Sequence, residues 1–341
     1  MTFEQLKHYE TIISRFPKAH IAVIGDIVAD QYIFGKPLKL SREAPVLVVR
    51  YDGEHILPGS AGNTILNLAA LGCRVTPISR LGSDPAGETL LKIFKGKGIS
   101  TDFIETTPDI PTTTKIRILA GDDHTSKQQV IRIDKEASGP FQETVESRIL
   151  NHIRTLEPSV DAFLVSDYGY HLISSRILTT LKEVSKKCLT VVDSRYRLKE
   201  FSGVHVMTPN ESELQSAAGR TAGSEQELLT IGRDLYRAMG LEALLVTMGN
   251  HGMLLFEDSG EVTRIPIAGP DEIIDVTGAG DTVAALFTLA RVSGASYKDA
   301  ARLANYGGGI VVMKRGAATL SPVELMTFIQ SEIIPHGSNH P

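Results

Sequence analysis

The sequence predicts an α/β protein, a three-layer sandwich with a mainly parallel central sheet and a small β-flap lid. Short β-branched apolar runs alternate with helical patterns through most of the chain. The helical stretches are long enough to be crossovers, which makes neighbouring strands parallel and covers both sheet faces. Two segments, about 31–51 and 110–136, instead alternate polar and apolar residues with no helix inside them, as in an antiparallel flap with one charged face. With 341 residues, 42% hydrophobic and 22% charged, the chain has material for a large core, and 1–341 reads as a single domain that includes both lid segments.

Residues 1–18 mix charged and apolar positions as an amphipathic helix does, without the apolar core or cleavage site of a secretory signal. Buried strands are expected at 20–25 (HIAVIG), 75–80, 161–166 (DAFLVS), 189–193 (LTVVD), 204–208 and 243–247 (ALLVT), because continuous β-branched runs of this length suit strands covered on both faces. Helices fall between them at 61–71, 85–95, 143–156, 174–187, 211–218 and 225–239. Two short strands, 252–256 and 262–266, precede three helices at 279–292, 297–313 and 322–332; the small, polar tail 335–341 reads as disordered. A lid over the carboxyl ends of the parallel strands would cover the place where open α/β sheets bind ligands.

Composition narrows the function. No run approaches the roughly 20 apolar residues of a membrane helix, and a net charge of −5 argues against a general nucleic-acid binder. Cys73 and Cys188 lie far apart inside apolar runs, so they read as buried structural thiols in a protein of the reducing cytoplasm.

The most informative run is 275–282 (DVTGAGDT), just ahead of an apolar helix. Gly278, Ala279 and Gly280 leave the backbone uncrowded, so successive N–H groups can point into one concavity. The helix start adds unpaired donors and a partial positive charge, a site for the charge that develops on a transferring phosphoryl group. Asp281, at its mouth, can accept the proton of an attacking hydroxyl. Alone, this stretch reads more often as a Gly-rich turn with an Asp cap.

The run resembles the C-terminal signature of the ribokinase-like (PfkB) carbohydrate kinases, and 58–63 (PGSAGN) resembles their N-terminal one. The resemblance implies a ribokinase-like fold, ATP and Mg²⁺ as co-substrate and cofactor, and Asp281 as catalytic base. It also implies that Gly59 and Asn63, with Asp26 and Asp30 after the first strand, hold sugar hydroxyls. Residues 210–213 (NESE) resemble the family's N-x-x-E motif, which assigns Asn210 to nucleotide phosphate and Glu213 to Mg²⁺ through water; a helix cap at Asn210 is compatible with that role. Residues 247–252 (TMGNHG) resemble the T-x-G-x-x-G turn against the nucleotide, assigning Thr247, Gly249 and Gly252 to ATP. Asn305, ahead of Gly307–Gly309, falls where the family lines the adenine pocket, and packing glycines explain that stretch nearly as well. Asp275 and Thr277 are candidates for a monovalent cation, K⁺ in some relatives.

Within the family, 40–46 (LSREAPV), 114–117 (TKIR), 128–134 (QQVIRID) and 316–322 (GAATLSP) resemble the bacterial heptose 7-phosphate kinases. Lys115, Arg117 and Arg132 on the lid strands would then clamp a phosphate already on the sugar, although the solvated face of a two-sided flap explains them too. Two positions depart from that branch: Tyr170 stands in D-Y-x-K-G where lysine is expected, and Arg195 in D-P-K where lysine would meet the nucleotide. The nucleotidyltransferase domain of bifunctional members, with its H-x-G-H type motif, has no counterpart before Pro341, so another polypeptide is expected to carry that step. The expected partners are a small sugar or sugar phosphate and ATP, with no nucleic acid, no membrane and a homodimer through the flap edges. A kinase of another sugar, sugar phosphate or nucleoside stays open, as does a sensor without catalysis, against which the intact GAG and Asp281 speak. A dinucleotide oxidoreductase does not fit, because Gly25-Asp26-Ile27 is no G-x-G-x-x-G.

Overall fold

The computed structural model describes residues 2–121, 127–136, 142–258, 260–269 and 274–332. Helix α1 (Phe3–Ile13) starts at a capping box between Thr2 and Gln5 and buries Leu6, Tyr9, Ile12 and Ile13. A 3₁₀ turn, Phe16–Lys18, leads into β1 (His20–Gly25), which is buried throughout. The chain then leaves the main sheet in two long strands, β2 (Ile27–Leu40) and β3 (Leu47–Ser60), and returns through α2 (Ala61–Ala70) to β4 (Arg74–Gly82). Next come α3 (Pro85–Gly96), begun by an Asp84 cap with proline in the first turn, and β5 (Ile104–Thr107). The second flap pair, β6 (Thr114–Ala120) and β7 (Gln128–Lys135), follows.

Crossovers then alternate as expected: α4 (Glu143–Leu156), β8 (Ala162–Asp167), α5 (Ser175–Val184), β9 (Leu189–Ser194), β10 (Val206–Met207), α6 (Glu211–Ala218), α7 (Glu225–Met239) and β11 (Ala243–Thr247). Strands β12 (Met253–Glu257) and β13 (Val262–Ile265) turn back antiparallel. Helices α8 (Ala279–Val292), α9 (Tyr297–Val311) and α10 (Pro322–Ser331) complete the described chain. The tail 335–341 lies outside the described residues.

The main sheet has the order β13-β12-β11-β10-β9-β8-β1-β4-β5, parallel from β11 to β5. Alternate residues of each strand enter two separate cores. Ile21, Val23 and Leu164 pack with α1, α2, α8 and α9, whereas Ala22, Ile24 and Val165 pack with α4, α5 and α7. That double burial is why these strands read as continuous apolar runs. The two cysteines are buried and free, and burial pushes both thiols up, to about 12 at Cys73 and about 11 at Cys188. Among the described residues no helix is long and apolar enough to cross a membrane.

The flap is a four-stranded sheet, β3-β2-β6-β7. Its register places Ile33, Ile118 and Ile131 side by side, with Ile116 opposite Ile133. Asp30, Lys115 and Asp134 line up in the other row, and Tyr32, Arg117 and Arg132 in the next. One face is therefore apolar and the other charged. The structure shifts three boundaries. Both flap strands reach deeper than the alternation at 31–51 suggests, because Ile27–Ala29 are buried and carry no polar alternation. Strand β10 shrinks to two residues, and β5 is an addition at the sheet edge.

Candidate active site

Five strand ends converge on one region: Gly25 of β1, Asp167 of β8, Ser194 of β9, Met207 of β10 and Thr247 of β11. Beyond them opens a cleft of about 590 Å³ whose walls include Tyr168, Asp193, Arg195, Thr208, Glu213 and Asp281. Carboxyl ends of parallel strands are where this architecture leaves unpaired backbone and converging loops.

Helix α8 points its start into this cleft. Gly278 takes the left-handed conformation at φ +77°, and no side chain caps the helix; the Ala279 N–H turns back to the Val276 carbonyl at 3.2 Å, which leaves the Gly280 N–H for a ligand. A Cβ on Gly278 would also lie 2.3 Å from the Asn63 amide, so conformation and space both demand glycine here. A Cβ on Gly280 would meet nothing, since that residue opens on the cleft. Asp281 sits in the first turn and is buried. Asn63 Nδ2 donates to its Oδ2 at 3.0 Å, Tyr168 OH to Oδ1 at 2.7 Å, and Thr64 Oγ1 to Oδ1 at 3.4 Å. Burial pushes the carboxyl up to about 6 against these three donors. At neutral pH the group is ionised yet basic, which suits proton abstraction.

Around it the sugar-side residues of the sequence reading take up distinct positions. Asn63 also donates to the Gly278 carbonyl at 3.2 Å, tying α2 to the start of α8. Gly59 is needed for close approach, because a Cβ there would stand 2.0 Å from Asp30 Oδ2. Asp26 has a different occupation from the one expected: its carboxylate accepts the N–H groups of Tyr168 (2.9 Å), Tyr170 (3.1 Å) and Leu172 (3.3 Å). It fastens the loop after β8. Burial, and next the charge of Asp167, push it up to about 6.

The lid cations divide in a way the sequence did not show. Arg117 pairs with Asp30 at 2.6 Å, and Arg132 grips Asp134 through two bonds of 2.7 and 2.5 Å. Lys115 makes no ion pair among the described residues; its ammonium stands 5.7 Å over the Tyr170 ring. Burial lowers it, and the charges of Arg132, Arg195 and Arg117 lower it further against the pull of Asp30. Arg195, on the core side, likewise has no carboxylate partner among the described residues and stands over Tyr196. The lysine absent at 170 is thus replaced by an aromatic platform beneath another lysine.

On the nucleotide side, Asn210 and Glu213 form a reciprocal capping box at the start of α6, each bond 2.9 Å. Glu213 also faces the cleft. Thr247 lines it, while Gly249 and Gly252 shape the turn between β11 and β12; a Cβ on Gly252 would strike the Ile265 carbonyl at 2.1 Å. Asn305 lies away from the cleft wall: its amide donates to the Pro266 carbonyl at 2.8 Å. A Cβ on Gly309 would be 2.2 Å from Ala268 O, so this stretch is packing. Asp275 accepts the N–H groups of Thr277 and Gly316, both at 2.9 Å.

Sequence reasoning gave no role to four residues in and beside the cleft. Tyr168 and Thr64 bond Asp281. Asp193 is pushed well above the carboxylate range, by burial first and then by the charges of Glu213, Asp281 and Asp167. The Thr208 hydroxyl is buried without a partner. The signal shared by Tyr168, Asp193 and Thr208 was position, one residue from a strand end, while Thr64 follows Asn63 on α2.

The model of the pfkB family carbohydrate kinases matches residues 18–324. The chain belongs to this family. A PfkB carbohydrate kinase is a phosphotransferase acting on a hydroxyl group. The chain is 37% identical over 323 residues to the bifunctional protein HldE of Geobacter sulfurreducens, covering 94% of this chain and 65% of that protein. The HldE of Nitratiruptor sp. is 36% identical over 315 residues, with coverages of 92% and 66%. The chain therefore spans 65–66% of the length of these curated relatives. Among solved structures, Arabidopsis thaliana ribokinase complexed with ribose and ATP superposes with a TM-score of 0.70 at 18% identity, over 92% of this chain and 99% of that one. Escherichia coli phosphofructokinase-2 in complex with potassium gives 0.76 at 15% identity, over 92% and 98%. This PfkB kinase thus has the ribokinase-like fold.

Proposed function

We propose that the chain transfers the γ-phosphoryl group of ATP to the anomeric hydroxyl of D-glycero-D-manno-heptose 7-phosphate, giving the 1,7-bisphosphate. The observation that carries the acceptor is the charged flap face, with Lys115 on the lid left without a carboxylate partner among the described residues. A lid cation so placed suits a sugar that already bears a phosphate. The flap motif at 40–46, with its resemblance to heptose 7-phosphate kinases, supports the heptose, as do the HldE relatives.

Asp281 takes the proton of the attacking hydroxyl, and the N–H groups of Gly278 and Gly280 hold the charge that develops on the transferred group. Asp30 and Asn63 orient the sugar and the flap excludes water. Asn210, Arg195 and Thr247 lie on the nucleotide side of the cleft. Mg²⁺, when bound, supplies positive charge between the nucleotide phosphates. The residues fit it: the Thr208 hydroxyl is buried without a partner among the described residues, and Asp193 and Glu213 line one cleft, where the Arg195 charge offsets their mutual repulsion only in part. No three His, Cys, Asp or Glu side chains converge for direct ligation among the described residues, which suits a magnesium held by Glu213 through water. Potassium at Asp275 and Thr277, and a homodimer through the apolar flap face, belong to the same reading.

The test is a substrate panel with Mg·ATP, read by ³¹P NMR: heptose 7-phosphate, fructose 6-phosphate, ribose and adenosine. Turnover of the heptose phosphate alone, with a new anomeric phosphate signal, is expected. Equal or faster turnover of ribose or adenosine overturns the assignment.

A further inference from the structure

We propose that Tyr168 is a positioning residue that fixes the Asp281 carboxylate so that Oδ2, and only Oδ2, takes the acceptor's proton. The inference rests on the reading of Asp281 as the base. Each carboxylate oxygen has two acceptor positions. On Oδ1 both are filled, by the Tyr168 hydroxyl at 2.7 Å and the Thr64 hydroxyl at 3.4 Å. On Oδ2 Asn63 fills one, at 3.0 Å. Among the described residues a single acceptor position remains, on an oxygen of a side chain that lines the cleft.

Tyr168 is itself held in place. Its backbone N–H is bonded to Asp26 Oδ2, Gly169 turns the chain at φ +80°, and the N–H groups of Tyr170 and Leu172 return to the same carboxylate. The buried carboxylate of Asp26 therefore sets the loop whose tyrosine sets the base. Burial, and next the negative charge of Asp281, hold the phenol proton on, so the donor stays a donor through the working pH range. The charge of Asp30 on β2 also acts on Asp281, and that of Asp281 on Asp193 of β9, while Glu213 and Arg195 share its cleft. None of these donates a hydrogen bond to it. Rotating the carboxylate toward the acceptor through Oδ1 would break the Tyr168 bond. In the step so constrained, the acceptor's O–H bond breaks and its proton moves to Oδ2. A new O–P bond forms as the bond from the γ-phosphorus to the β–γ bridging oxygen breaks, and its electron pair leaves with ADP.

The test compares kcat–pH profiles of the wild type, Tyr168→Phe and Asp281→Asn with heptose 7-phosphate and Mg·ATP. Loss of a hydrogen bond donated to a carboxylate raises its pKa. Tyr168→Phe should therefore move the acidic limb up by about one pH unit and cut kcat roughly 10- to 100-fold near pH 6.5. Activity should partly recover toward high pH, with KM for both substrates within about twofold. Replacing Tyr168 with 3-fluorotyrosine, an isosteric and stronger donor, should move the limb the opposite way; this variant carries the test if Tyr168→Phe does not fold. A limb that stays in place in both variants, or a uniform loss at every pH, overturns the role of Tyr168. Wild-type-like turnover by Asp281→Asn overturns the base assignment instead, so the two failures are distinguishable.

Discussion

Burying Asp281 in the first turn of α8 raises its carboxyl from 3.8 to about 6, which corresponds to about 3 kcal/mol against the folded state at neutral pH. The sign follows from the direction. With the folded value above the unfolded one, stability is greatest below pH 4 for this group and is lost as pH rises through 6. Asp26 carries the same burden, and burial is again the main cause. Asp281→Asn should lower kcat by about 10²–10⁴ while ATP still binds, and raise Tm by a few degrees, on the scale of about 2–4 °C per kcal/mol. Calorimetry beside a turnover assay checks both; a Tm that falls with kcat would show the carboxylate to be structural. The motif at 275–281 made Asp281 legible. Arg117 and Arg132 were legible as lid cations but not as paired ones, because Asp30 lies 87 residues from Arg117 and no local period encodes their meeting.

At the scale of elements, most helices announced themselves through their caps: Ser174, Ser224, Ser296 and Ser321 each accept from the N–H three residues on. The edge strand β5 carries too few residues for a period to show, and β10 keeps only two residues of the run read at 204–208. Helix α6 combines a cap with a proposed ligand role, and Glu213→Gln separates them, since glutamine completes a capping box as well. That variant should keep its melting temperature within about 2 °C and need roughly tenfold more Mg²⁺ for half-maximal rate. An unchanged Mg²⁺ titration would leave Glu213 a cap alone. The flap exposes Leu38, Leu40, Val46, Leu47, Tyr51, Val130, Ile131 and Ile133, an apolar concentration that a second copy of the same sheet would cover. Ile131→Asp with Ile133→Asp should convert a dimer to a monomer in light scattering; a wild type already monomeric at micromolar concentration would rule that face out.

For the whole molecule, the doubly wound sheet was readable because burial on both faces leaves uninterrupted β-branched runs. How lid and core meet was not, because those contacts join residues far apart in sequence. Lys115 stands on the lid without an ion pair among the described residues, so the phosphate of a bound sugar would draw the lid down. Lys115→Ala should raise KM for the sugar phosphate about tenfold and KM for ATP less than twofold; equal rises would remove the clamp. The lid itself is a continuation of strands, not a loop. Strand β2 is buried from Ile27 to Asp30, half-buried to Phe34, and exposed from Pro37, with a register shift at Phe34/Gly35 where a Cβ would strike Val49. Amide hydrogen exchange along this single strand should therefore form a ramp, slow before residue 31 and fast beyond 36. Sugar phosphate should steepen protection at its distal end, the signature of a ribbon that bends rather than a segment that orders.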